Sequence, residues 1–165
     1  MSAHRLATRK VQQASVLITT LILLGMLSVL GLAMISLNST QARIATNSAD
    51  AQQAYQTAEG ALNQAVNNLS GGAYVLADFM SNTSGLYVFD PAATPRWQSV
   101  TWTSATSVIL CAACGMGTQA AYIIEYMPPA SVPGSVPKQV FRVTARAVGV
   151  SGKSPVILQS TVLTP

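Results

Sequence analysis

In 165 residues the chain carries 8% charged and 50% hydrophobic side chains, with five acids and one histidine, His4. That is too few titratable groups to assemble a Ser/His/Asp set, a paired-carboxylate cleft or a His-rich metal site, so the composition argues against an enzyme and against a metal or other cofactor. The formal charge of +4 is modest, and three of the nine basic residues (Arg5, Arg9, Lys10) lie in the first ten positions, which gives no basis for nucleic-acid binding.

From Val11 to Ala42 there is no charged residue. The centre of this stretch, Ala14 to Leu37, is 24 residues long, enough as a helix rising about 1.5 Å per residue to cross a hydrocarbon core of about 30 Å. Basic residues precede it and only Arg43 follows closely. The Lys/Arg bias therefore keeps the N-terminus in the cytoplasm and places the rest of the chain across the inner membrane, in the periplasm, with lipid as its first partner. A cleaved secretory signal would need a shorter apolar core and an Ala-x-Ala-like site, and neither is present.

No proline or glycine interrupts the polar, Ala-rich segment between Leu37 and Gly60, so the helix continues out of the membrane. Ala51, Ala54, Tyr55, Ala58, Ala61, Leu62, Ala65, Val66 and Leu69 follow the spacing of one buried stripe, and Ser70, Gly71 and Gly72 end it. All eight prolines lie at or beyond Pro91 and both cysteines beyond residue 110, so the character of the chain changes after Leu69. Strands are expected at 86–90, 97–103, 107–111, 121–127, 139–148 and 156–163. In the fifth run Phe141, Val143, Ala145 and Ala147 alternate with Arg142, Thr144 and Arg146, so the apolar set should face the helix stripe. The turn Ser151-Gly152-Lys153-Ser154, closed by Pro155, predicts an antiparallel hairpin, and the prolines from Pro128 to Pro137 predict a stiff exposed loop before it.

The expected fold is α+β: a long N-terminal helix packed on a small antiparallel sheet. Its divisions are 1–14 (leader), 15–37 (membrane half of the helix), 38–70 (periplasmic half) and 71–165 (globular β domain).

Cys111 and Cys114 form Cys-Ala-Ala-Cys. A thioredoxin-like enzyme needs this motif at a helix start within a strand-helix-strand unit, which is not visible, and zinc needs about four ligands. An oxidising periplasm favours a local disulfide that fixes a turn, with exchangeable thiols and metal as the alternatives. Glu59 shares a face with Tyr55, Leu62 and Val66 and is either partly covered or solvated at the stripe's edge. Arg43, Asn47 and Asp50 share one face, as a hydrogen-bonded ladder or as an ordinary solvated surface.

Four motifs carry a resemblance. They are Leu17-Ile18-Thr19-Thr20-Leu21, Leu30-Gly31-Leu32-Ala33, Arg43-Ile44-Ala45-Thr46-Asn47-Ser48-Ala49-Asp50 and Thr57-Ala58-Glu59-Gly60-Ala61-Leu62, in that order. They resemble the amino-terminal region of type IV pilins, and among these the PilX-type minor pilins. Ala14 stands where Gly is usual, and Gly60 where Ala is usual. The resemblance implies a prepilin leader cut between Ala14 and Ser15 by prepilin peptidase, and an assembly helix carrying Thr19, Arg43, Asn47, Asp50 and Glu59. It further implies partnership with other minor pilins, the major pilin and the inner-membrane assembly platform, in a complex that primes the pilus or sits at its tip. Major pilins carry a glutamate at the fifth position after the cut, where this chain has Thr19. The competing readings are a pseudopilin of a type II secretion system, a membrane-anchored adhesin or binding domain and, last, a membrane-bound thiol oxidoreductase.

Overall fold

The structure is a computed structural model that describes residues 3–111, 114, 119–130 and 138–164, with side chains from Val16 onward except those of Ser36 and Ala130. It divides into two units, Met1–Asn47 and Ser48–Pro165.

In the first unit every described residue is helical, as part of α1 (Ala3–Ser70). From Val16 to Leu37 every large apolar side chain with described placement is between 53% and 71% exposed. This is one helix long and apolar enough to cross a membrane.

In the second unit the remainder of α1 buries Ala54, Thr57, Ala58, Ala61, Ala65 and Leu69, spaced at three or four with one doublet. The stripe is therefore narrower than the sequence suggests: Tyr55 is 50% exposed. Its small side chains let the sheet approach the helix backbone closely. The helix stops in a paired closure, Ala73 N–H donating to Asn68 C=O (2.9 Å) and Gly72 N–H to Leu69 C=O (3.2 Å). This geometry puts Gly72 at φ +70°, where a Cβ would be penalised.

The sheet comprises β1 (Leu86–Val88), β2 (Ile109–Leu110), β3 (Gln119–Ala130), β4 (Lys138–Val148) and β5 (Pro155–Thr164), in the order β1-β3-β4-β5 with β2 also on β3. It is mixed, not purely antiparallel: β1 runs parallel to β3, Leu86 opposite Ile124, while the other pairings are antiparallel. The hairpin of β4 and β5 is as its turn residues dictate. Three expectations fail. The expected strand at 97–103 is instead α3 (Arg96–Ser99) and turns, because Pro95 precedes a helical turn and Trp102 Nε1–H folds back on Trp97 C=O (3.1 Å). The run at 107–111 forms a strand only at Ile109–Leu110. Pro128 and Pro129 lie within β3, at a register irregularity between Met127 and Ala130 where the ladder bonds they lack are not needed. Residues 131–137 of the expected loop lie outside the described residues. A short helix, α2 (Leu76–Met80), is also present, its first turn held by Val75 N–H donating to Asp78 Oδ2 (2.9 Å).

Both faces of β3 are covered. On the helix side Tyr122, Ile124, Phe141, Val143, Ala145 and Ala147 join the alanine stripe in one core. Phe79, Tyr126 and Phe141 close its end, with ring centroids 5.3–6.4 Å apart. Tyr122 brings a hydroxyl into this core; Asn68 Nδ2–H donates to it (3.0 Å) and Tyr74 shares a hydrogen bond with it (3.1 Å), and burial raises its pKa. On the other side Tyr87, Val108, Ala121 and Ile123 form a second cluster under Trp97, Val100 and Trp102.

Candidate functional site

The membrane-length part of α1 is a surface without packing partners in its own unit. Its polar side chains are accommodated by the helix itself: Thr19 and Thr20 hydroxyls donate to the carbonyls of Val16 and Leu17 (both 2.9 Å), and Ser28 donates to Leu24 (2.8 Å). Such bonds let hydroxyls enter an apolar medium without an orphaned donor. Arg43 and Asn47 are exposed. The backbone at Ala14 and Ser15 is helical; their side chains lie outside the described residues.

Asp50 is placed by a contact that its helical neighbours do not announce. Its carboxylate accepts hydrogen bonds from Ser151 Oγ–H (2.6 Å) and Ser151 N–H (3.0 Å), at a sequence separation of 101. The same carboxylate fills the space beside Gly149, where a Cβ would come within 2.5 Å of it. Any side chain at Gly149 would thus displace the latch. The Ser151 hydroxyl, then its N–H, hold the Asp50 carboxyl below its ordinary 3.8. In place of a ladder on the helix surface, Asp50 fastens the turn between β4 and β5 to α1.

Cys111 and Cys114 are joined in a disulfide. Cys111 is buried, and Gln64 Oε1 on α1 lies against both sulfurs, 3.3 Å from that of Cys114. At Gly60, one turn earlier, a Cβ would stand 3.7 Å from Cys114 C=O, in ordinary contact. Helix and disulfide loop therefore meet at Gly60 and Gln64.

Glu59 is exposed, so the solvated reading holds. The covered carboxylate is Glu125, 2% exposed, which sequence reasoning did not single out. Arg142 Nε–H and Nη2–H donate to its two oxygens, both at 2.9 Å, and the guanidinium lies 4.6 Å from the Phe89 ring centroid. A single acid inside the apolar run Ala120–Met127, opposite a strand with Arg at every fourth position, was the signal that could have found it.

Among the described residues no three His, Cys, Asp or Glu side chains gather where they could hold a metal ion. What the geometry offers is surface: a helix whose described large apolar side chains from Val16 to Leu37 are exposed, and a sheet domain fastened to its own helical segment at Asp50, Gln64 and the alanine stripe.

The sequence model of the family described as type IV pilus assembly protein PilX, C-terminal, matches residues 38–164. No curated protein and no solved structure matches the chain.

Proposed function

Because the chain belongs to the PilX family of type IV pilus assembly proteins, with 38–164 of its 165 residues matched, we propose that it acts there as a minor pilin, in a complex that primes the fibre or sits at its tip. The observation that carries this reading is the exposure of the large apolar side chains from Val16 to Leu37. Lipid covers it first, in the inner membrane; neighbouring pilin helices cover it after assembly. On this reading prepilin peptidase removes residues 1–14, the inner-membrane platform receives the mature chain, and the domain from Ser48 onward stands in the periplasm. Other minor pilins and the major pilin are its partners, and no catalytic step is required of it.

Thr19 supports the position at the tip. At the fifth position after the cut its hydroxyl is turned to Val16 C=O, and it brings no carboxylate for the α-amine of an adjoining subunit. An unpaired ammonium in an apolar fibre costs several kcal/mol, so repeated insertion is disfavoured, whereas one copy at an end escapes much of the penalty. Gold labelling of an epitope inserted at Ser131 tests this: label at one end of the fibres is expected, and label spread evenly along them rejects the tip position. Mass spectrometry should find a mature chain starting at Ser15, and Ala14→Leu should keep the leader attached. An unprocessed wild-type chain rejects the minor-pilin reading.

A further inference from the structure

Arg142 and Arg146 stand four residues apart on β4, on the face away from α1, and each guanidinium lies by an aromatic ring. Arg142 is complete: it sits 4.6 Å from the Phe89 centroid and forks onto Glu125, its cross-strand neighbour on β3. Arg146 repeats the arrangement with one part missing. It lies 5.9 Å from the Trp102 centroid, but its cross-strand neighbour is Ala121. No carboxylate pairs with it among the described residues, where the one ion pair is Arg142 with Glu125. Where a carboxylate would reach from β3, a pocket of about 320 Å³ opens, lined by Trp102, Thr103, Leu110, Cys111, Ala121 and Arg146.

From this juxtaposition we propose that the pocket binds a carboxylate carried on an apolar, ring-sized body. The guanidinium fork matches two carboxylate oxygens and is fixed in direction by its strand. Trp102, Leu110 and Cys111 supply apolar walls, and Trp102 a face on which a planar group can stack. The volume is at the lower end of ligand sites and admits one small aromatic acid or one residue of another chain. A phosphate, more highly charged and fully hydrated, would find one cation and mostly apolar walls. The site is independent of how the chain is assembled into a fibre.

The test uses the full chain in lipid nanodiscs, with phenylacetate as probe and phenylacetamide as its uncharged counterpart, followed by saturation-transfer NMR. Phenylacetate should bind at least about ten-fold more tightly than the amide, the value of one charge-assisted fork. Arg146→Gln should bring the acid down to the level of the amide, with Arg146→Lys between. Ala121→Glu, which rebuilds the Arg142 arrangement from within, should abolish probe binding while the domain keeps a cooperative thermal transition. Equal binding of acid and amide, or undiminished acid binding by Ala121→Glu, overturns the proposal, even where Arg146→Gln fails to fold. A photo-crosslinker at Leu110 in cells distinguishes the sources. A polypeptide adduct lost in Ala121→Glu identifies an acid borne by another chain; a small acid recovered with the wild type and lost in Ala121→Glu identifies a free ligand.

Discussion

Two segments of α1 share a secondary structure and differ in nearly everything else. Between Val16 and Leu37 the apolar side chains are large, point in all directions and are exposed; between Ala54 and Leu69 the buried apolar side chains are mostly alanine and lie in one stripe. An all-round apolar helix is suited to a medium, lipid or a bundle, in which every direction is equivalent. A stripe of alanines suits one fixed neighbour, here the sheet face built from β3 and β4 and edged by β5. Side-chain size thus separates the part of the helix whose partner is elsewhere from the part whose partner is in the same chain.

The sharpest way to break the contrast is to place the same charge in both. Ala61→Glu buries a carboxylate in the apolar helix–sheet core, and should unfold the domain, seen as loss of its cooperative thermal transition. Leu24→Glu should leave that transition unchanged but disfavour membrane insertion by about 2.5–3.5 kcal/mol, read as a shift of the protein out of the membrane fraction.

A volume change gives a smaller effect of the same form. Ala58→Leu overfills the helix–sheet contact and should lower domain stability by about 1–3 kcal/mol in denaturant titrations. Leu24→Ala should lower it not at all. Next comes the disulfide: Cys111→Ser with Cys114→Ser should cost about 2 kcal/mol, because the closed loop is short, with amide exchange rising first around Gln64. Thiol alkylation of the unreduced native protein should label neither cysteine.

The smallest effect belongs to the latch. Asp50→Asn and Gly149→Ala should each speed exchange of the Ser151 amide and leave the alanine stripe protected. Asp50 has its carboxyl held below 3.8, so its contribution is fully present above that pH and is lost as pH falls through the lowered value. An Asp50 titration midpoint at or above 3.8, followed by NMR, would contradict the latch.

Much of this was legible in the sequence because the signals are local. An uncharged run, a Gly-Gly stop, a two-residue alternation and a Ser-Gly-Lys-Ser turn each act within about ten residues, and they give the membrane-length helix, its end and the β4–β5 hairpin. The disulfide was legible for the same reason, its partners being three residues apart. What stayed hidden depends on register between distant strands. Glu59 drew notice through helical spacing, yet the buried acid is Glu125, whose partner Arg142 is set by β3–β4 pairing. Asp50 and Ser151 are 101 residues apart, and nothing near either one names the other. The parallel β1–β3 pair is non-local in the same way, and the turn of α3 wins over the β-prone residues Trp97 to Thr103 through Pro95 and the Trp102 indole.

The alanine stripe also has a bearing on time. Ala61 is synthesised 82 residues before Val143, its neighbour in the core. At about 5–20 residues per second the stripe waits roughly 4 to 16 s for the strand that covers it. A stripe of leucines would spend that interval as an adhesive band on the nascent chain. Alanine, with little apolar area per residue, lets the nascent helix remain unattached until β4 arrives.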